Sequence, residues 1–254
     1  MTLSDPGSFP DTHEGVRSPI SVCGVCGRYS NTTKKTDEIH TRMAELLGVS
    51  QPESDRGFER FNIAPTQEVL AVVADQRDRR IAELRWGLIP RWAKEPKQGF
   101  KMINARAETV LERPAYRGLV QRAHHRCLVL ADGWYEWQRP EDPKQPRRPV
   151  HFSRPGGEPF YFAALWTSWS SHEGGVVPSC TIITCQANEI ARPIHDRMPV
   201  VLPESEWDTW LDADNRDVAA LRKLLVPLPA AELAAFCWRP FAISRVAPDS
   251  ECAP

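Results

Sequence analysis

Val69-Leu70-Ala71-Val72-Val73-Ala74 and Arg79-Arg80-Ile81-Ala82-Glu83-Leu84-Arg85-Trp86 are two strand-like runs separated by polar residues that include Gln76-Arg77-Asp78. In the second run Ile81, Leu84 and Trp86 stand against Arg80, Glu83 and Arg85, the alternation of a half-buried strand. The pair reads as a β-hairpin. Working outward, apolar runs of strand length recur at 126–131, 150–153, 160–166 and 180–184, and 241–246 reads as a closing strand. Helical patterns fall at 36–47, 105–111, 115–123, 204–211 and 218–225. In the first, Thr36 is the expected N-cap, with Ile39, Met43, Leu46 and Leu47 on one face. Residues 139–149 hold four prolines among alternating charges and read as a surface loop. No internal repeat or regular βαβ rhythm is visible. The expected class is α+β: a single domain on a mostly antiparallel, barrel-like sheet flanked by short helices.

Composition agrees with one globular body. The 254 residues are 41% hydrophobic, with nine Trp and nine Phe, whereas a disordered chain would have fewer aromatics and more net charge. The net charge of -1 leaves no global footprint for nucleic acid, so any such binding needs a local basic groove. Cations are 25 Arg to seven Lys, which with heavy Ala and Pro usage suggests a GC-rich genome. No run approaches the ~20 apolar residues of a membrane span. Residues 1–25 lack the charged start and apolar run of a signal peptide and read as a disordered leader. The expected location is the cytoplasm. Seven cysteines, an odd number, do not read as a disulfide framework there.

Four segments have unusual composition and no obvious packing role: Cys26-Gly27-Arg28-Tyr29, residues 103–109 around Asn104, Asp132-Gly133-Trp134-Tyr135-Glu136-Trp137, and residues 193–199 around His195. Together they supply a thiol, an amide, a carboxyl and an imidazole, a sufficient set for nucleophilic chemistry. Each also has a plain reading. Cys26 fits a small buried hydrophobe, Asn104 a helix N-cap, His195 a satisfied loop histidine, and Glu136 the outer face of a strand. Trp134, Glu136 and Asp132 share one face of that strand, however, and a carboxyl beside indoles is partly desolvated and raised in pKa. Cys23 and Cys26 form a C-x-x-C, but Cys180 and Cys185 have the wrong gap for a second zinc pair, and the βαβ context of a redox motif is absent. No metal and no cofactor are expected. Residues 85–92 interleave Arg85 and Arg91 with Trp86 and Trp92, a pattern of single-strand binders that also fits a Trp-rich core corner.

Six ordered motifs resemble one family. Cys26-Gly27-Arg28-Tyr29, Asn62-Ile63-Ala64-Pro65, Trp86-Gly87-Leu88-Ile89-Pro90 and residues 103–109, 132–137 and 194–199 follow the order of the SRAP family of abasic-site processing proteins. The resemblance runs from Cys26 to Val246 and leaves 247–254 as a short tail. It implies a protein that shields abasic sites in single-stranded DNA through a covalent cross-link, with self-processing peptidase and lyase character, in DNA damage response. By the same resemblance the nucleophile is Cys26, exposed as the first residue of the mature protein, with Asn104, Glu136 and His195 as the other catalytic residues. Arg28, Trp92 and Arg106 fall among positions that contact the DNA backbone or stack at the lesion, and Trp86, from the Arg–Trp interleaving of 85–92, joins them as an expected DNA-binding residue. A monomer, nucleoid-associated when bound to damaged DNA, is the expectation.

Two departures stand out. Twenty-five residues precede Cys26, and an acylated amine cannot form an imine. Either the leader is cleaved, or the chemistry is lost, or translation starts at residue 25. The last is favoured, because a GTG codon read as Val25 initiates as Met in GC-rich bacteria. The tail holds Pro248, Cys252 and Pro254 where the family continues with an Asn-containing segment. Two other functions compete: a cysteine peptidase of N-terminal-nucleophile type using the same residues on a peptide bond, and a non-catalytic single-stranded DNA-binding module that kept the fold.

Overall fold

The computed structural model describes residues 26–34, 38–50, 56–74, 78–171 and 174–237. The leader, the Thr36 cap, the expected strand at 241–246 and the tail lie outside the described residues. In chain order the elements are β1 (Arg28–Asn31), α1 (Glu38–Leu47), β2 (Arg60–Ile63), β3 (Glu68–Ala74), β4 (Arg79–Trp86), β5 (Asn104–Arg106) and α2 (Arg117–Val120). There follow β6 (Arg126–Ala131), β7 (Gly133–Gln138), β8 (Arg148–Ser153), β9 (Phe160–Ser170), β10 (Val176–Gln186), β11 (Arg197–Pro199) and β12 (Val201–Leu202). Helices α3 (Trp207–Leu211) and α4 (Val218–Lys223) and strand β13 (Ala234–Cys237) complete them.

The hairpin is present and forms one wall of a closed barrel. β3 pairs along its whole length with β4, from Glu68↔Arg85 to Ala74↔Arg79. β3 also pairs with β6, β6 with β9, and β9 with β10, all antiparallel. A short parallel contact of β10 with β4 closes the ring of five strands. So small a ring leaves room only for side chains. Leu84, Val129, Ala163, Leu165 and Ile182 are among its fully buried residues. A second sheet in the order β13-β8-β7-β1-β2 carries Tyr29 and Trp134 to the barrel. Tyr29 meets Trp86 and Phe162 edge-on, and Trp134 stacks on Phe152 at 5.2 Å.

Three local expectations change. Residues 105–111 are not helical: Asn104-Ala105-Arg106 form β5, pairing in parallel with Ile182-Ile183-Thr184 of β10. The ladder offered by a buried strand outweighs the helix propensity of Ala, Arg and Glu. Helices at 115–123 and 204–211 are shorter than expected, each sharing its span with a 3₁₀ turn. In α1, Ala44 and Leu47 face the core three residues apart, while Leu46 is exposed.

Three glycines set how closely chain segments approach one another. Gly87, at φ +122°, and Gly99 lie face to face, and a Cβ on either would sit within 2.7 Å of the other's carbonyl oxygen. They pinch the base of the loop that carries Trp92. At Gly133 a Cβ would sit 2.2 Å from His151 Nε2 and 2.7 Å from the Phe152 carbonyl oxygen. Gly133→Ala should therefore cost about 2–3 kcal/mol, read as a lower urea midpoint with unchanged slope. An unchanged midpoint would show that β7 and β8 can part freely.

Candidate active site around Cys26

β1 and β7 build the centre. Their antiparallel register places Arg28 opposite Tyr135 and Ser30 opposite Gly133. Asp132, just before β7, accepts from Ser30 Oγ at 2.6 Å and from the Thr32 hydroxyl and backbone N–H, fixing that register. Residue 26 thereby comes beside residue 136, and the backbone N–H of Cys26 donates to Glu136 Oε1 at 2.7 Å. Cys26 is fully buried and Glu136 is 3% exposed.

Burial pushes the Glu136 carboxyl up to about 8; the N–H donated by Cys26 opposes this, and the charge of Asp196 adds to it. Burial also raises the Cys26 thiol well above its ordinary range, with Glu136 reinforcing the effect. The pair is thus a protonated thiol and a carboxyl that exchanges its proton near neutral pH. Such a carboxyl is suited to acid–base work.

His195 reaches the same region from the turn before β11. Its Nδ1 accepts the Arg197 N–H at 3.0 Å, which leaves Nε2 carrying the proton in the neutral ring. Asp196 lies 3.0 Å from the same Nδ1 and pairs with it once the ring is charged. Burial lowers the His195 pKa, Asp196 raises it, and Arg139 and Arg197 lower it. Arg139 follows β7 directly, and Asp196 acts on Glu136, so the two segments share one electrostatic environment. Asn104 opens β5 opposite Ile182, and Arg106 ends it, exposed, opposite Thr184.

The sequence reading did not single out Arg197 and Glu108 as site residues. Arg197 is buried and grips Glu108 with two nitrogens at 2.6 and 2.8 Å, while Nη2 also donates to the Thr184 carbonyl. This bidentate clamp ties the His195 turn to the segment after β5 and to β10. Glu108 stands inside the 103–109 segment and Arg197 inside 193–199, which was the available signal.

Of the expected DNA-contacting residues, Arg28 donates to Asn62 Oδ1 at 2.8 Å and keeps a partly exposed position. Trp92 is 69% exposed. Trp86 requires correction. Its ring is fully buried, its Nε1–H donates to the Ile103 carbonyl at 3.0 Å, and Tyr29 packs against it. No base can stack on it in this structure. Among the described residues no cluster of His, Cys, Asp and Glu is arranged to hold a metal ion, and no helix is long and apolar enough to cross a membrane.

The family model for SOS response associated peptidase (SRAP) matches residues 25–239. The chain belongs to the SRAP family. Among its relatives, abasic site processing protein YoaM of Bacillus subtilis is 43% identical over 216 residues, covering 85% of this chain and 90% of that protein. Abasic site processing protein YedK of Escherichia coli is 31% identical, covering 72% and 79%. Abasic site processing protein HMCES of Xenopus tropicalis is 34% identical over 61% of this chain and 52% of that protein. A phage-related protein from Bordetella bronchiseptica shares the SRAP fold at a TM-score of 0.63 and 28% identity, over 84% of this chain and 94% of that one. A Bacteroides thetaiotaomicron protein matches in fold at a TM-score of 0.69 and 21% identity, over 85% and 93%.

Proposed function

We propose that this protein captures abasic sites in single-stranded DNA by a covalent bond to Cys26 as the first residue of the mature chain. The observation that carries the reading is the nitrogen of Cys26 held 2.7 Å from a buried carboxyl whose pKa is displaced towards neutrality. The relatives named as abasic site processing proteins support it. So does the family match, which begins at residue 25, one position before Cys26.

An opened abasic sugar presents an aldehyde. A free α-amine, with a pKa of ~7.7–8.0, is neutral in useful fraction near pH 7. It adds to the aldehyde carbon and loses one water to give an imine. The Cys26 thiol then adds to the imine carbon, its proton passing to the nitrogen, and a five-membered thiazolidine closes. Holding amine and thiol on one residue makes the second step intramolecular. In this scheme Glu136 takes the proton from the attacking nitrogen and returns one to the departing hydroxyl. His195, with Nε2–H as donor, assists opening of the sugar, and Asn104 orients the amine or a sugar hydroxyl. Arg28 and Arg106 hold phosphates, and the exposed Trp92 offers a stacking surface.

A second reading concerns the peptide bond before Cys26. Its nitrogen is the leaving group of that bond, and its N–H donates to Glu136 Oε1 at 2.7 Å, which keeps the carboxyl within reach of the departing amine. In a self-processing cleavage the Cys26 thiol adds to the preceding carbonyl carbon, its proton passes through Glu136 to the departing nitrogen as the C–N bond breaks, and water then hydrolyses the thioester to release the leader as a carboxylic acid and restore the thiol.

One comparison tests the proposal. Protein beginning at Cys26 and full-length protein blocked at that nitrogen are each incubated with single-stranded DNA carrying an abasic site. A heat-stable adduct is expected from the first and none from the second, unless intact mass shows that the leader has been removed. Binding by the Cys26-first protein without an adduct would leave only a binding module. Peptide cleavage without an adduct would favour the peptidase.

A further inference from the structure

Ser30, Asp132 and His151 meet in the second sheet and take no part in the chemistry proposed above. Ser30 Oγ donates to Asp132 Oδ1 at 2.6 Å and lies 3.0 Å from His151 Nε2. Asp132 Oδ2 accepts from both the backbone and the hydroxyl of Thr32, and the Asp132 N–H donates to the Ser30 carbonyl at 3.0 Å. Ser30 is fully buried and Asp132 is 5% exposed. His151 of β8 reaches Ser30 of β1 across Gly133 of β7, through space that a Cβ on Gly133 would fill.

These are the residue types of a hydrolytic triad, but the proton runs the wrong way. A nucleophilic serine gives its proton to the imidazole, whereas Ser30 gives its own to a carboxyl. Burial holds His151 down to about 4, against the charge of Asp132, so the ring is neutral near pH 7. It then donates Nε2–H to the Ser30 oxygen, whose single proton is committed to Asp132. A fully buried hydroxyl used in this way holds strands together and meets no substrate.

What it holds is the start of the chain. β1 is a strand of four residues whose ladder with β7 begins at Arg28, so Cys26 lies beyond it. Asn31 Nδ2 donates to the Gly57 carbonyl at 2.7 Å, and the Tyr135 hydroxyl spans from β7 to the Phe61 carbonyl of β2 at 2.9 Å, so β1 is fastened on both sides. First residues fray unless they are tied down. A nucleophile that begins the chain needs its anchor downstream.

We infer that Ser30, Asp132 and His151 are positioning residues, which pin β1 so that the Cys26 nitrogen stays on the Glu136 carboxyl. The consequence for adduct formation rests on the function proposed above; the positioning itself does not.

The first test needs no DNA. In full-length protein with isotope-labelled cysteine, the Cys26 amide is the signal that Cys26→Ala removes. That amide donates to Glu136, so its shift is expected to follow the carboxyl's titration near pH 8. Asp132→Asn and the milder Ser30→Ala should each flatten this response, while the amides of Cys127 and Cys180 in the barrel strands stay in place. Should Asp132→Asn unfold, Ser30→Ala decides. Parent-like titration in the folded variants, or a parent Cys26 amide that ignores pH, overturns the network. The second test uses the Cys26-first form, in which Asp132→Asn should slow adduct formation about 10²-fold. The loss should be far smaller where Glu136 is already glutamine, because the group that Asp132 aligns with Cys26 has gone. Equal losses in both backgrounds would overturn the positioning role. A Cys26-first parent that forms no adduct would sink the proposed function and leave the amide titration to judge the network alone.

Discussion

In protein beginning at Cys26, Cys26→Ser should abolish the heat-stable adduct completely while leaving an imine that borohydride reduction can trap. The two steps use different atoms. The amine survives the substitution and still condenses with the aldehyde, but the hydroxyl is a much weaker nucleophile for closing the ring. Burial reinforces the order of events, because a thiol raised well above its ordinary range is protonated at neutral pH and cannot lead the attack. Cys26→Ala should behave in the same way. Gel analysis with and without borohydride, before and after heating, separates the species. A heat-stable adduct persisting in Cys26→Ala would mean that another residue carries the chemistry.

Glu136→Gln should act in opposite directions on rate and on stability. Glutamine keeps the shape and can still accept the Cys26 N–H, but it transfers no proton. Loss of a positioned acid–base group lowers rates by about 10²–10⁴-fold, measured as the single-turnover rate of adduct formation in the Cys26-first form. A rate within a few-fold of the parent would remove Glu136 from the proton transfers.

The stability effect follows from the sign of the displacement. The folded pKa of about 8 lies above the carboxyl's ordinary value of 4.5, so the folded state holds the proton more tightly. Stability from this group is then fully present below about 4.5 and declines as pH rises towards 8, by on the order of 4 kcal/mol. In full-length protein Glu136→Gln should flatten that decline and raise Tm at pH 8 relative to the parent. Coincident pH profiles for parent and variant would contradict the assignment. In the Cys26-first form a nearby ammonium would lower the carboxyl and raise the amine, and the two would titrate as a pair. The two forms should therefore show different pH dependence.

The barrel was largely legible because its strands declare themselves. The run 126–131 is β6 with identical bounds, and the 69–86 hairpin pairs as expected, although Ile81 falls on the opposite face of β4 from Leu84 and Trp86. Apolar runs of strand length survive folding, whereas propensity yields to partners. Asn104-Ala105-Arg106 reads as helix in isolation and becomes a strand because the neighbouring edge of β10 offers a ladder. Trp86 shows the limit of composition: arginine beside tryptophan reads the same whether the indole faces a base or the core. For the site, the types were visible but their meeting was not. Cys26 and Glu136 stand 110 positions apart, and only the register of β1 on β7 joins them. The resemblance to a family supplied that juxtaposition. It did not supply the Arg197–Glu108 clamp.

One backbone angle gives the buried cysteine a further meaning. Cys26 has φ of +49°, a conformation that L residues other than Asn, Asp and Gly rarely adopt, costing about 1–3 kcal/mol. That torsion is defined by the carbonyl carbon of the residue before it. In a chain that begins at Cys26 the fourth atom is gone, the angle ceases to exist, and nothing remains to be strained. The geometry that is awkward for an internal residue is free for a first one.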